Sequence, residues 1–395
     1  MRIALNTLSV QSGAGVVFLN ILLPRLLSID QKNHYVIFYS FLQKEYIDLL
    51  PSGFEKIFVR SVPRNPFLRV LWEQVVFPIY LFRYRIDVLY SIGNTTSIFA
   101  PCKIVLLIEN ANPYSKLGLP WSRKERFRFS LLRFLGFLSA RRASRVRFVS
   151  QDSYNRIFPR LSIHPGKCIV IPHGVFIPVS SFEYPLLLKQ KEYPHDSPGN
   201  YILTIGANAL HRNITRLVQA FSLLVQCYHY DGDLVVVGVI SSEEDRLNLK
   251  EIMHVLGLEN RVIFTGEVPH HEIYSYLAHT ELFVFPSIEE TFGIPLIEAM
   301  ALGVPIATSD CNLDISYRGR CFNPFREICG DAVEYFNPFD VDNIAESMND
   351  MLINSSKRHE YVKKGIGRVK QYDIDTTACA LVQLFEDVVK RRSPH

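Results

Sequence analysis

A rhythm that occurs twice along the chain constrains its fold most. Short apolar, β-branched runs are separated by amphipathic helical stretches. Uninterrupted apolar runs read as strands buried on both faces, and strands spaced by helices read as parallel strands with crossover connections. In the first half, strands are expected at Arg2–Leu8, Tyr35–Tyr39, Lys56–Val62, Val88–Ser91, Lys103–Glu109 and Arg145–Ser150, with a short one at Cys168–Pro172. Helices are expected between them, for instance at Val16–Leu27, Leu68–Tyr84 and Arg123–Ala140. The rhythm stops between residues 176 and 200, where Pro178, Pro185, Pro194 and Pro198 mix with Ser180, Ser181, Ser197 and Gly199. It resumes with strands at Tyr201–Ile205, Asp233–Val239, Arg261–Thr265, Glu281–Pro286 and Pro305–Thr308. Helices at Ile214–Cys227, Glu243–Leu256, His271–Ala278, Pro295–Leu302 and Val341–Ile353 sit among them. Two doubly wound α/β domains are therefore expected, 1–175 and 201–375, with 176–200 as the connection. The last segment, 376–395, reads as a helix that packs back on the first domain.

The composition fits this reading. With 395 residues the chain exceeds one ordinary core, and 48% hydrophobic with 21% charged residues is a globular balance. Its seven cysteines are scattered, and the spacings of Cys311, Cys321 and Cys329 suit no common zinc site, so reduced thiols are expected. The start, Met1-Arg2-Ile3-Ala4-Leu5-Asn6, runs straight into a strand pattern without the features of a signal peptide. No apolar run approaches the roughly 20 residues that a membrane span requires. A cytoplasmic protein is expected, peripheral at the inner face of the membrane.

Net charge is +4, but it is unevenly spread. Residues 115–147 carry Arg123, Lys124, Arg126, Arg128, Arg133, Arg141 and Arg142 among Trp121, Phe127, Phe129, Phe134 and Phe137. Such a stretch either lies on an anionic bilayer or packs on the core with a solvated basic face. Nucleic acid is the weaker reading, and none is expected as a partner.

The segment richest in chemistry runs from Phe283 to Pro305. A buried strand ends at Pro286, a loop carries Glu289 and Glu290, and Phe292-Gly293 turns into a helix with Pro295 in its first turn and Gly303 as its closing cap. Glu290 thus lies beyond a strand's C-terminal end and Glu298 about one turn into the next helix. The amides after Gly293 favour an anion such as a diphosphate. A carboxylate can accept from two adjacent hydroxyls of a sugar or ribose. The alternative is a loop acid and a salt-bridged helix acid.

This segment resembles the Glu-x7-Glu motif of the retaining GT-B glycosyltransferases of family 4, the group 1 transferases. Pro286-Ser287, Glu290-Thr291-Phe292-Gly293, Pro295, Glu298-Ala-Met-Ala and Gly303-Val-Pro305 stand in register with it, as do Phe264-Thr-Gly266, Gly330-Asp-Ala and Asn337-Pro338. Tyr201-Ile-Leu-Thr-Ile-Gly206 followed by His211-Arg212-Asn213 resembles the family's strand and phosphate-holding loop, with Arg212 in the usual lysine place and Ala207 where an arginine often stands. Gly13-Ala14-Gly15 resembles the family's glycine loop, and Trp72-Glu73-Gln74 a mannosyltransferase-like branch. Ile108-Glu109-Asn110 departs from the His-Asp found in many members.

The resemblance implies two Rossmann-like domains facing across a cleft, with the donor on the C-terminal one. It implies Glu290 and Arg212 as catalytic residues, Glu290 on the transferred sugar and Glu298 on the ribose. Gly15, Gly206, Arg212, Asn213, Gly266, Thr291, Phe292, Gly293 and Ile294 complete the donor side, and Gly13, Glu109 and Asn110 the acceptor side. No cofactor or metal is implied. The donor is a nucleotide sugar, GDP-mannose favoured over a UDP-hexose. The acceptor is a glycan or lipid-linked saccharide, and 115–147 gives an anionic membrane surface as a further partner. Asp340-Val-Asp342 and Asp373-Ile-Asp375 imitate a metal-binding string but precede helices, where Asp is a common cap. Two other readings are an inactive sugar-nucleotide-binding partner of a membrane assembly and a nucleotide-sugar epimerase of the same fold.

Overall fold

The computed structural model describes residues 1–10, 15, 18–115, 121–176, 200–206, 210–240, 242–311 and 324–390. The expected connection, apart from its two end residues, lies outside them, as do Gly13 and Ala207. The chain divides into two compact units: Met1–Tyr114 with Trp121–Phe176 and Tyr372–His395, and Ser115–Pro120 with Ile177–Gln371.

The first unit is built on a parallel sheet of β1 (Arg2–Asn6), β2 (His34–Tyr39), β3 (Glu55–Phe58), β4 (Val88–Ser91), β5 (Lys103–Ile108), β6 (Arg145–Phe148) and β7 (Cys168–Val170), in the order β3-β2-β1-β4-β5-β6-β7. The second has β8 (Tyr201–Ile205), β9 (Asp233–Val237), β10 (Val262–Gly266), β11 (Leu282–Phe285), β12 (Ile306–Ser309) and β13 (Glu334–Phe336), in the order β10-β9-β8-β11-β12-β13. Both orders reverse beside the first strand of their unit, the doubly wound arrangement. Central strands such as β4 and β11 are buried at every residue, whereas the outermost β3 and β7 are half-exposed throughout. That is why β4 reads as a solid apolar run in sequence.

The helices used below are α1 (Leu23–Ile29), α2 (Pro66–Val75), α3 (Phe77–Arg83), α4 (Arg123–Arg142), α5 (Ile214–Tyr228), α6 (His270–His279), α7 (Ile294–Ala301) and α8 (Ile374–Lys390). The single helix expected over Leu68–Tyr84 is two: α2 starts at Pro66 under an Asn65 cap, and Pro78 sits in the first turn of α3. Proline cannot donate to the preceding turn, so the ladder is interrupted there. Within the helix expected from Val16, the turn at Phe18–Leu22 is π-helical and leads into α1. β13 and the helix Ser355–Val369 were not anticipated. α8 packs on α1 and β5 of the first unit, where Asp375 forms an ion pair with Arg25. Asp340 caps Val341–Ile353 by accepting from the Asn343 amide at 3.1 Å, and Asp373 accepts from the Thr376 amide at 3.4 Å. The capping reading of both Asp-x-Asp strings therefore holds.

The expectation of reduced thiols needs correction. Cys311 is disulfide-bonded, while Cys102, Cys168, Cys227, Cys329 and Cys379 are free thiols. Chain spacing and compartment arguments do not register which thiols the fold brings together. In Trp72-Glu73-Gln74, the first and third side chains tie α2 to neighbouring loops. Trp72 Nε1 donates to Ser61 Oγ at 3.2 Å, and Gln74 holds Thr96 O at 3.2 Å and the Ile98 amide at 2.7 Å. No helix among the described residues is long and apolar enough to cross a membrane.

Glu73 is buried, and desolvation raises its carboxyl pKa to about 7. A carboxyl whose folded pKa is raised contributes stability below its unfolded pKa of 4.5 and loses it as pH climbs to about 7. Glu73→Gln should remove this loss, worth up to about 3 kcal/mol above neutrality. Thermal melts at pH 5 and pH 8 check it: the variant should melt above wild type at pH 8 and close to it at pH 5.

Candidate active site

In the second unit the sheet order reverses between β8 and β11, which pair side by side. Loops leaving the C-terminal ends of two such strands diverge and leave a crevice where ligands bind in open α/β sheets. The loop after β8 carries His211-Arg212-Asn213 and the loop after β11 carries Ser287 to Gly293. They are tied together through one carbonyl. His211 O accepts from the Ile288 amide at 2.8 Å and from Ser287 Oγ at 3.2 Å.

That tie brings Arg212 onto Glu290, with Nη1 paired to Oε1. Ser287 Oγ donates to the same oxygen at 3.1 Å, and the guanidinium also lies over the Phe285 ring, 5.4 Å from its centroid. Burial raises the Glu290 carboxyl pKa, while Arg212 and Ser287 pull it down. Burial, reinforced by the Arg212 charge, lowers the His211 imidazole to about 3, so the ring is neutral beside the guanidinium.

Gly206 ends β8 with φ +102° and donates its amide to Val237 O at 2.8 Å. A Cβ at this position would stand 3.0 Å from Arg212 Nε. The glycine therefore makes room for the cation as well as taking a backbone conformation closed to most side chains. Gly266 ends β10 at φ +74° and accepts from the Gly238 amide at 3.0 Å. Gly293 caps α7 at φ +99°, with Phe325 Cε1 3.0 Å from where its Cβ would be.

Glu298, in α7, is buried and held separately. His270 Nε2 lies 2.9 Å from its Oε1, and the Tyr274 hydroxyl donates to that oxygen at 3.3 Å. His270 and Tyr274 were not foreseen, because they sit at the start of α6, remote in sequence from Glu298. The remaining donor-side residues divide by what they expose. Thr291, Phe292 and Ile294 are buried, which leaves their main chain as the part suited to a ligand. Asn213 is a left-handed residue (φ +60°) whose amide donates to Pro338 O at 2.7 Å and accepts from Arg216 Nη1 at 2.8 Å.

The acceptor-side candidates Glu109 and Asn110 lie in the first unit, and so does Gly15 of the donor-side set. Gly15 is buried, and a Cβ there would meet Val10 Cγ1 at 2.8 Å. The amides of Glu109 and Asn110 both donate to Asn94 Oδ1 at 3.0 Å, and Asn94 Nδ2 returns to Asn110 O at 2.7 Å. Glu109 Oε2 stands 3.6 Å from Nε2 of buried His173. Burial lowers the His173 pKa against the pull of Glu109, with nearby Arg147 adding to the lowering. The fully buried Arg147 is held by Ile171 O, Pro172 O and Tyr90 Oη.

A cation, a carboxylate and a helix N-terminus at one sheet switch point suit a phosphorylated sugar. Residues 188–368 match the model of the family described as glycosyl transferases group 1. The match covers a little under half of the chain. The chain is 24% identical to the O-antigen chain mannosyltransferase RfbU of Salmonella typhimurium, over 82% of either protein. It is 27% identical to O-antigen chain mannosyltransferase B of Escherichia coli, over 47% of this chain and 45% of that one. The whole fold resembles Anabaena Alr3699/HepE, solved in complex with UDP-glucose, with TM-score 0.73, 17% identity and coverage of 98% and 100%. The two doubly wound units are thus those of the GT-B fold.

Gly206→Ala should both strain the backbone and push Arg212 off Glu290. The positive φ alone should cost about 1–3 kcal/mol. The check is a lowered Tm together with weaker binding of a nucleoside diphosphate by titration calorimetry. An unchanged affinity would remove the glycine from the placement of Arg212.

Proposed function

We propose that the chain is a retaining hexosyltransferase that moves a sugar, mannose in the favoured reading, from a nucleoside diphosphate to a hydroxyl of a glycan or lipid-linked saccharide. The supporting observation is the Arg212–Glu290 pair at the β8/β11 switch point, flanked by Gly206 and the N-terminus of α7. In this reading Arg212 forks across the diphosphate oxygens, a geometry its planar N–H donors suit. The amides that open α7 face the same negative charge. Glu290 takes hydroxyls of the transferred sugar, and Glu298, held on one oxygen by His270 and Tyr274, takes the ribose diol on the other.

Reaction breaks the bond from the anomeric carbon to the phosphate oxygen, which leaves with the electron pair. The acceptor oxygen bonds to that carbon, and its proton passes to the released diphosphate. Preorganised positive charge on the leaving group lowers the barrier, and no metal is needed in this scheme. The mannosyltransferase names of the two curated relatives favour GDP-mannose, with UDP-hexoses second. We place the protein in surface polysaccharide assembly, in the cytoplasm, with residues 115–147 against an anionic membrane.

A thermal-shift series with GDP-mannose, UDP-glucose and ADP-glucose tests the donor. A ligand at a hundred times its Kd should stabilise the native protein by about 2.7 kcal/mol. The largest shift should come from GDP-mannose, and a larger one from UDP-glucose would reassign the donor. Arg212→Ala should lose on the order of 10²–10³ in transfer rate, by analogy with removal of one oxyanion donor. Glu290→Gln, which keeps size and removes charge, should abolish most transfer while nucleotide still binds. Transfer at the wild-type rate in either variant would exclude that residue from catalysis, and an inverted product anomer on NMR would exclude the retaining course.

A further inference from the structure

Six exposed large apolar residues, Phe67, Leu68, Leu71, Val75, Ile79 and Phe82, lie on α2 and α3. Leu68, Leu71, Val75, Ile79 and Phe82 follow one another at intervals of three and four, so they share one face of the two helices. Val76, between the helices, keeps a helical backbone, and the stripe runs on across the junction. Leu71, Val75, Ile79 and Phe82 are 62%, 67%, 63% and 76% exposed. Phe77 and Leu81 face away from the stripe and are buried, and buried Trp72 stacks on Phe77, so the helices are anchored and the stripe faces outward.

Basic residues bracket it along the chain: exposed Arg60 and Arg64 precede α2, and exposed Arg83 and Arg85 close and follow α3, whereas the one acid within the two helices, Glu73, is buried. Packing joins this face to α4. The rings of Phe67 and Phe127 lie 6.5 Å apart, and the loop carrying exposed Phe99 is pinned by Gln74 from α2 and by Arg142 from α4. α4 itself spends much of its apolar surface inward through Phe129, Gly136 and Ala140, while Phe127 and Phe134, seven residues apart, share an outward side. Its contribution to the shared face is mainly cationic.

We propose that α2 and α3 form the inserting part of an anionic-bilayer docking face, with α4 supplying the arginines that hold it to the headgroups. The inference rests on the membrane contact proposed for 115–147 and moves its apolar component to residues 66–83. Charge complementarity selects the partner: a continuous apolar stripe rimmed by cations fits an interfacial helix on anionic lipid. The stripe spans about 21 Å at 1.5 Å per residue and lies along the surface. The flanking arginines can keep their heads at the interface while their stems lie in the apolar layer.

Flotation on vesicles of phosphatidylcholine, with and without roughly 30 mol% phosphatidylglycerol as the anionic lipid, tests this on the full chain. Wild type should float with the anionic vesicles, and Leu71→Ser/Ile79→Ser should weaken partitioning by roughly tenfold or more. The nucleotide-induced thermal shift should be unchanged, which shows that the variant folds. Arg126→Glu/Arg133→Glu should lose binding in low salt as well. Equal flotation of the stripe variant and wild type, with loss only in the α4 variant, would overturn the assignment to α2–α3 and leave the 115–147 contact standing. Absence of wild-type flotation would overturn both. A dimer on light scattering that the stripe variant dissociates, without vesicle binding, would overturn the bilayer in favour of a second copy of the chain.

Discussion

One main-chain carbonyl organises the second unit's candidate site. His211 O receives both an amide and a hydroxyl from the loop after β11. With this clasp in place, two loops from neighbouring strands lose their independence, and Arg212 meets Glu290 at a fixed place. The pair is partly buried, so its charges act in a medium where water screens them less than at a surface. A partly buried pair is costly to leave half-made, and the clasp keeps both members present. Gly206 beneath the guanidinium and Phe285 beside it serve the same end.

The strands were largely legible in the sequence because parallel strands covered on both faces must be apolar throughout. Tyr201–Ile205 and Val88–Ser91 were read to the residue. The misses have local causes. Glu334–Phe336 has three residues on the outside of its sheet, too short and too mixed to register as a pattern. The break at Pro78 was visible but outweighed by the helical spacing on either side, the same spacing that makes the exposed stripe continuous. Gly293 and Gly303, both at positive φ, stand where a helix entry and exit were expected.

The candidate site was legible to the extent that it lies along one segment. Glu290 and Gly293 lie in the loop after β11 and Glu298 in the helix behind it, and Arg212 has the same relation to β8 as Glu290 has to β11. What escaped notice is what reaches across: His270 and Tyr274 from α6 to Glu298, and His173 toward Glu109. Such contacts are made by sheet order, and nothing in their sequence separation announces them. Trp72-Glu73-Gln74 illustrates the converse, since a motif noted for its resemblance turns out to brace a helix against the loop at residues 96–98.

The bridge between Val175 and Asp373 places the two points where the chain leaves and rejoins the first unit next to each other. The second unit is therefore an insertion within the first, although its sequence follows. During synthesis the inserted unit has all its residues first, while the earlier one waits for α8 to cover α1 and β5. The usual order, in which the N-terminal part of a chain is finished first, is reversed here. A nascent chain stalled before Ile374 would carry a complete second unit beside a first one whose apolar flank still lacks its cover.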